Sequence, residues 1–197
     1  MQLHKRDVVA KAAAILDSYG IADLTMRRVA RELDVTPGAL YWHFANKQEL
    51  LGAVADRVLA PACADPEPTG WRMRIEVVCR ALRDALLSHT DGAELVSASF
   101  AAGQSRAVEQ ILGVLAEAAG EAGVDAAHRV QAARTVLHYV LGATADEQSR
   151  LQWDAAGAEL PEHQSVLSGD PSAGFAFGLR LLTDGLAAQR VSSTESG

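Results

Sequence analysis

The sequence is poor in cysteine and has no long apolar run. Its two cysteines, Cys63 and Cys79, form neither a CxxC nor a zinc-binding spacing, which excludes a disulfide scaffold and suits a reducing compartment. The mean hydropathy is +0.03, and no apolar stretch reaches about 18 residues, so no membrane span is predicted. A charged-then-apolar leader is also lacking. We therefore expect no secretory signal and a cytoplasmic location.

The chain also lacks a surplus of basic residues. It has 18 Lys and Arg against 25 Asp and Glu, a net charge of −7, which at first argues against a nucleic-acid partner. The charge is unevenly placed, because residues 1–50 carry net +1 and residues 51–197 carry net −8. A non-acidic head on an acidic body leaves room for selective DNA binding by the head alone.

What the sequence does have is helical periodicity, and no segment alternates as a β-strand does. We predict an all-α protein of about 9–10 helices. Four helices are expected within the first 60 residues, two of them very short. Gly20 is a stop signal for the first helix, and Thr25 and Asn46 are N-cap residues for the second and fourth. Pro37 begins the third, which is expected to run to about His43.

A proline-containing connector, residues 60–70, is predicted to lead into a larger helical body. The body should start near Trp71, turn at residues 88–92, and form a long helix with two apolar faces from Asp125. Residues 153–170 look irregular, and Asp170-Pro171 should begin a last helix. We predict a three-helix helix-turn-helix DNA-binding domain in residues 1–60, a ligand-binding and dimerisation domain in residues 61–190, and a disordered tail in residues 191–197.

Residues 24–44 have the order of a helix-turn-helix, with a tight break at Asp34-Val35 between two short helices. The second helix begins with small residues, Gly38 and Ala39, which allow a close approach to the major groove. Taken singly, most of these residues have ordinary interpretations, such as core packing or a solvated charged face. Only the ordered set at this spacing favours DNA binding.

The run Leu40-Tyr41-Trp42-His43-Phe44, followed by Asn46-Lys47 and Leu50-Leu51, resembles the DNA-binding domain of the TetR family of bacterial regulators. One departure is Asp34, where the family usually has Gly in the turn. The helix starts and the ring side chains suit phosphate and base contacts. The candidate DNA-binding residues are Thr25, Arg27, Arg28, Thr36, Pro37, Gly38, Ala39, Tyr41, Trp42, His43 and Lys47.

The resemblance extends into the body, whose segments 85–93, 138–148 and 175–186 look like those of tetracycline repressors. In that family the long eighth helix and the last helix form a dimer four-helix bundle. Residues 125–151 and 171–190 match those places, and their apolar faces fit that use. The resemblance therefore implies a homodimer.

The drug site is where the resemblance fails. Tetracycline repressors hold a magnesium–tetracycline chelate through a histidine just after the Asp-Gly turn, where this chain has Val96. Asp146 could replace an acidic residue near the metal, but a lone carboxylate is a poor magnesium site. We therefore expect no magnesium–tetracycline binding by that mode, and no metal or cofactor is predicted.

The positions that match the drug site are mostly apolar here, which suits a hydrophobic or aromatic effector. The alternative for each of them is that it simply fills the core. The candidate effector-binding residues are Cys63, Val78, Leu82, Val96, Ser99, Phe100 and Leu112.

The function expected from these observations is that of a homodimeric repressor, released from a palindromic operator by a small hydrophobic effector. A second hypothesis is a helical enzyme or small-molecule carrier with an incidental helix-turn-helix. Against it, the six histidines are scattered and the chain shows no HExxH, GxSxG or Walker loop. A third hypothesis keeps DNA binding and makes the protein an activator or a regulator without a ligand.

Overall fold

The computed structural model describes residues 3–63, 70–158 and 170–192. That part of the chain is helical and contains no β-strand, which confirms the predicted all-α class. A short 3-10 helix, Ala60–Cys63, follows the fourth α-helix. The α-helices are α1 (Lys5–Tyr19), α2 (Met26–Glu32), α3 (Pro37–Tyr41), α4 (Lys47–Leu59), α5 (Trp71–Leu87), α6 (Gly92–Ala101), α7 (Arg106–Ala122), α8 (Arg129–Ala155) and α9 (Pro171–Ser192).

Two predicted caps fix the starts of helices in the head. The Thr25 hydroxyl accepts a hydrogen bond from the backbone N–H of Arg28 at 3.1 Å, and the Asn46 side chain accepts one from the N–H of Glu49 at 2.8 Å. Each bond satisfies a first-turn donor that the helix itself leaves unpaired. The Glu49 carboxylate accepts from Ala45 N–H at 2.8 Å rather than from the cap residue, so the capping box is displaced by one residue.

The turns around α2 use left-handed backbone. Gly20 ends α1 with a φ of 77°, as its position predicts. Asp34 lies between α2 and α3 with a φ of 54°, a conformation that glycine adopts more easily. The turn closes because Val35 N–H donates to the carbonyl of Ala30 at 3.0 Å. Asp34 therefore adopts the turn conformation, although glycine is usual at this position in the family.

Helix α3 is short and firmly anchored. Pro37 occupies its first turn as predicted, and the helix ends at Tyr41, two residues before the predicted end. Beyond it, the N–H groups of His43 and Phe44 both donate to the Leu40 carbonyl at 2.9 Å, which tightens the last turn. Leu40 and Phe44 are fully buried and fix the helix on the head core.

Helix α8 starts four residues later than the sequence pattern indicates. The Asp125 carboxylate accepts the N–H groups of Ala127 and His128 at 2.9 and 3.2 Å, which holds residues 125–128 in a turn before the helix. At its other end α8 reaches Ala155, into the segment predicted to be irregular. Residues 159–169 of that segment, and residues 64–69 of the connector, lie outside the described residues. The last helix includes residues 191–192, which were predicted to belong to the disordered tail. Residues 193–197 of that tail lie outside the described residues.

One hydrophobic core runs through head and body. It includes Leu16 of α1, Val54 of α4, Leu82 of α5 and Leu179 of α9. Helix α4 packs on both α6 and α7, so the last helix of the head belongs to the body core as well. Movement of α6 or α7 therefore bears directly on the head.

Side-chain contacts fix α8 against its neighbours. Arg83 of α5 donates two hydrogen bonds to the Glu147 carboxylate at 2.9 and 2.7 Å, and both side chains are largely buried. The Tyr139 hydroxyl donates to the Phe175 carbonyl of α9 at 2.7 Å, and the two rings stack. Gly178 leaves room for the tyrosine, since a Cβ there would lie 2.2 Å from its hydroxyl oxygen. Among the described helices, none is long and apolar enough to cross a membrane.

Candidate DNA interface and effector cavity

Helix α3 buries one side and presents the other to solvent. Beside the buried Leu40 and Phe44, Trp42 is 91% exposed and Tyr41 is 54% exposed. Residues 36–38 at the start of the helix are also exposed, and Ala39 and His43 are half-buried. Two adjacent exposed ring side chains on an anchored short helix are typical of a surface that contacts another molecule.

The predicted cationic residues divide into two groups. Arg27 is exposed, and Lys47 is half-buried at the start of α4. Arg28 is instead held within the head. Its guanidinium pairs with Asp23 at 3.2 Å and Glu32 at 3.4 Å, and lies 4.2 Å from the ring centre of Tyr19. Arg28 therefore joins α1 to α2, and Arg27 is the freer of the two arginines for a phosphate.

A shallow cavity of about 270 Å³ lies beside the start of α2. Thr25, Arg27 and Arg28 line it together with Asp23 and with Arg31, which is not among the residues predicted from the sequence. Arg31 lies four residues after Arg27 and so on the same helix face, which is the signal that could have found it. Three arginines against one aspartate give the lining a net positive charge, which favours a phosphate of the DNA backbone.

The predicted effector residues lie in or against the hydrophobic core. Val78, Leu82, Val96 and Ser99 are buried, and Cys63, Phe100 and Leu112 are half-buried against the same core; these residues come from the 3-10 helix, α5, α6 and α7. The Ser99 hydroxyl donates to the Leu95 carbonyl at 2.9 Å, within its own helix. Their burial is compatible both with an effector site and with the alternative that they fill the core.

Thr144 of α8 adds a polar atom that the sequence argument missed. It is fully buried, and its hydroxyl has no hydrogen-bond partner among the described residues. The two cysteines are poor nucleophiles, because burial raises the pKa of the Cys63 thiol and raises that of Cys79 to about 12. The body core is therefore apolar with few polar handles.

In the structure Asp146, the candidate acidic residue near the metal, pairs with an arginine. The side chain is exposed, and its carboxylate lies 2.6 Å from the Arg150 guanidinium one turn later on α8. Within residues 3–63, 70–158 and 170–192, no group of three or more His, Cys, Asp or Glu side chains could hold a metal ion.

A polar junction joins the head to α8 through the turn that precedes α6. Asp91 has a φ of 53°, and its carboxylate accepts from Ile21 N–H of the head at 2.9 Å and from Gln152 of α8 at 2.8 Å. His89 Nδ1 lies 2.8 Å from the Asp17 carboxylate. The Thr90 hydroxyl donates to the carbonyl of the same Asp17 at 2.9 Å.

Gln148 fixes that turn from the side of α8. Its amide donates to the carbonyls of Leu86 and His89 at 3.1 and 2.8 Å, and its carbonyl oxygen accepts from Ala93 N–H at 3.0 Å. The position of α1 is thus tied to α8 by hydrogen bonds on both faces of one turn.

A second junction joins α4 to the loop after α6. The Asp56 carboxylate accepts from the Ser105 hydroxyl at 2.7 Å and from Ala107 N–H at 3.0 Å. One turn earlier, a Cβ on Gly52 would lie 2.1 Å from the Gln104 carbonyl oxygen, so only glycine fits there. Both ends of α6 therefore touch the head.

The outer faces of α8 and α9 carry large apolar side chains that remain in solvent. Between 42% and 59% of each is exposed in the single chain. Single exposed apolar residues are common, but five on two adjacent helices are typical of a surface that packs against another protein. They are Val130, Leu151, Trp153, Phe177 and Leu181.

Two family models match the chain. The model described as "Bacterial regulatory proteins, tetR family" matches residues 8–54, and "Tetracyclin repressor-like, C-terminal domain" matches residues 64–190. The chain belongs to the TetR family. The resemblance drawn from the sequence is therefore confirmed for head and body alike.

Individual relatives agree with the family. The tetracycline repressor class A from transposon 1721 of Escherichia coli is 32% identical, over 96% of this chain and 93% of its own length. The crystal structure of Mycobacterium smegmatis BioQ is 64% identical, covers 95% of this chain and 99% of its own, and superposes with a TM-score of 0.87. A crystal structure of BioQ with its natural double-stranded DNA operator is 62% identical over the same shares, with a TM-score of 0.83.

These matches establish the class of function. The chain is a TetR-family, DNA-binding transcriptional regulator, and the hypothesis of an enzyme with an incidental helix-turn-helix is set aside. The surface of α3, the polar junctions and the apolar faces of α8 and α9 are thus parts of a regulator.

Proposed function

We propose that this chain is a homodimeric repressor that acts in the cytoplasm on a palindromic operator. Residues 1–60 read the DNA, and residues 61–190 dimerise and bind an effector. The observation that carries the proposal is the surface of α3, where Tyr41 and Trp42 are exposed while Leu40 and Phe44 are fully buried. The likeness to BioQ, which was crystallised with its operator, supports the same use of this surface.

The apolar faces of α8 and α9 support the dimer. Burying exposed Leu, Trp and Phe side chains is favourable by about 25 cal/mol for each Å² of apolar area removed from water. A second copy of the same face is self-complementary and closes the assembly at two subunits. Two heads held in this way contact half-sites roughly 34–36 Å apart, or a multiple of that distance.

An effector in the body core releases the operator by favouring a different head position. The two junctions support this coupling, because Asp91 holds the head at the start of α6 and Gly52 abuts the loop after its end. Coupling of this kind is typically about 1–3 kcal/mol, and operator DNA weakens effector binding by the same factor. The apolar lining favours a hydrophobic or aromatic effector.

Magnesium–tetracycline is not the expected effector. Val96 stands where tetracycline repressors have a metal-binding histidine, and Asp146 is engaged by Arg150. A thermal-shift screen with tetracycline, with and without Mg²⁺, should show no Mg²⁺-dependent stabilisation. A strong Mg²⁺-dependent shift would overturn this assignment.

Footprinting tests the operator claim. The full-length protein is incubated at moderate salt with a duplex that carries the BioQ operator, and we expect protection of both halves of the palindrome. No protected palindrome would contradict the proposal. A reporter gene placed behind the same operator separates repression from activation, because a repressor lowers its expression.

A further inference from the structure

A cavity of about 420 Å³ lies between the second half of α6 and the middle of α8. Its walls include Phe100 and Leu141, which are apolar, and Arg134 and His138, which carry nitrogen donors. On α6 the cavity is lined by Ser97, Phe100 and Ala101. Val96 and Ser99 lie on the buried side of the same helix. The cavity therefore lies on a different side of α6 from the buried Val96 and Ser99.

Two side chains with nitrogen donors, Arg134 and His138, pack against the Phe100 ring in this cavity. The guanidinium carbon of Arg134 lies 4.9 Å from the centre of the Phe100 ring. The His138 ring centre lies 5.7 Å from it, at an interplanar angle of 52°. Stacking on the ring orients the guanidinium and leaves its N–H edge available to a ligand.

Arg134 differs from five other arginines of the body, which are paired with carboxylates. Arg72, Arg74, Arg80, Arg83 and Arg150 each lie within 4 Å of a carboxylate. For Arg134, no acidic side chain in the described parts of the chain comes within that distance. A cation that is held beside a cavity without an acidic partner is available to bind an anion.

We propose that this cavity binds a small aromatic carboxylate. The carboxylate accepts two N–H bonds from the Arg134 guanidinium, and the planar body lies against Phe100 and Leu141. The volume is within the usual range for small-molecule sites. Since α6 contacts the head at both of its ends, occupancy also bears on operator binding, and this last step alone rests on the proposed function.

Calorimetric titration of the full-length protein with 2-naphthoate tests the site, and 2-naphthamide serves as the neutral probe. Arg134→Gln removes the cation. Gly142→Leu fills the cavity, because a Cβ on Gly142 has no atom within 4 Å. Arg150→Gln removes the same charge elsewhere on α8, and Gly113→Leu adds the same side chain at an open helical glycine of α7. Circular dichroism and gel filtration check that each variant is folded and assembled.

We expect 2-naphthoate to bind, and 2-naphthamide to bind at least about tenfold more weakly. Arg134→Gln and Gly142→Leu should each weaken 2-naphthoate by at least about tenfold, while both controls stay within about twofold. The proposal would be overturned if 2-naphthoate does not bind. That includes the case in which a second copy of the chain fills the cavity. Equal binding to Arg134→Gln and the wild type would also overturn it.

The binding measurement contains no DNA, so it is independent of the repressor assignment. A missing footprint contradicts the proposed function and leaves this site standing. A missing calorimetric signal contradicts this site and leaves the repressor standing.

Discussion

Replacing Gln148 by Leu tests the junction between head and body. The side chain is 9% exposed and makes three hydrogen bonds to the turn before α6, to Leu86, His89 and Ala93. Leucine is similar in size but makes none of them. In the variant the Leu86 carbonyl still accepts a hydrogen bond from the N–H of His89, and the His89 carbonyl still accepts one from the N–H of Gly92. The N–H of Ala93 loses the Gln148 oxygen and remains buried.

The expected loss of stability follows from that count. An unsatisfied buried N–H costs about 1–3 kcal/mol, and each carbonyl that keeps one partner loses well under about 1 kcal/mol. The free energy of unfolding should therefore fall by about 2–4 kcal/mol. Guanidinium denaturation at one fixed protein concentration measures it, because the stability of a dimer depends on concentration.

Gln152→Leu is the matched control, since it is the same substitution one turn further along α8 at an exposed position. Its single bond to Asp91 is solvent-accessible, so the expected loss is under about 1 kcal/mol. Equal losses for the two variants, or a loss below about 1 kcal/mol for Gln148→Leu, would refute the role given to the buried contacts.

Three further predictions concern other contacts. Gly52→Ala forces α4 away from the loop after α6. It should lower stability by about 1–3 kcal/mol in denaturation, and also lower operator affinity in a gel-shift assay. At Gly38 a Cβ would meet only the Thr36 side chain, at an ordinary contact distance of 3.8 Å, so Gly38→Ala should lower operator affinity alone. The same pattern for both variants would contradict this. Glu147→Ala leaves Arg83 buried without its close partner, so the free energy of unfolding should fall by about 3 kcal/mol in denaturation. A fall below about 1 kcal/mol would contradict the stabilising role given to the buried ion pair. The pKa of Glu49 is lowered by the backbone N–H of Ala45 and by the nearby Lys5. Its contribution to stability is therefore present at neutral pH and is lost as the pH falls through that lowered pKa. Glu49→Gln should melt below the wild type at pH 7, with a difference in Tm that closes as the pH falls through the lowered pKa. A difference in Tm that does not depend on pH would be the contrary result.

Local signals in the sequence predicted much of the fold. Thr25 and Asn46 act as caps, Gly20 ends a helix and Pro37 begins one, because each of these effects works over one to four residues. The predicted start of α8 was wrong because of another local effect. The carboxylate of Asp125 captures two nearby N–H groups and delays the helix.

Contacts between distant residues could not be predicted from pattern. The bond from Ile21 to Asp91 spans 70 residues, and nothing in the local sequence of either partner signals it. Arg28 was expected to contact phosphate, yet its place against Tyr19 and two carboxylates depends on how α1 packs on α2. The ordered spacing of residues 36–44 predicts that α3 reads the DNA, while tertiary packing decides which cations remain free.

The central claim is that the exposed side of α3 reads operator DNA, and a pair of tyrosine variants tests it directly. Tyr41 of α3 and Tyr19 of α1 are 54% and 56% exposed, so they are matched in type and accessibility. Fluorescence anisotropy of a labelled operator duplex should show that Tyr41→Ala weakens binding by at least about tenfold, which is about 1.4 kcal/mol, while Tyr19→Ala stays within about threefold. Equal affinities for Tyr41→Ala and the wild type would contradict the account.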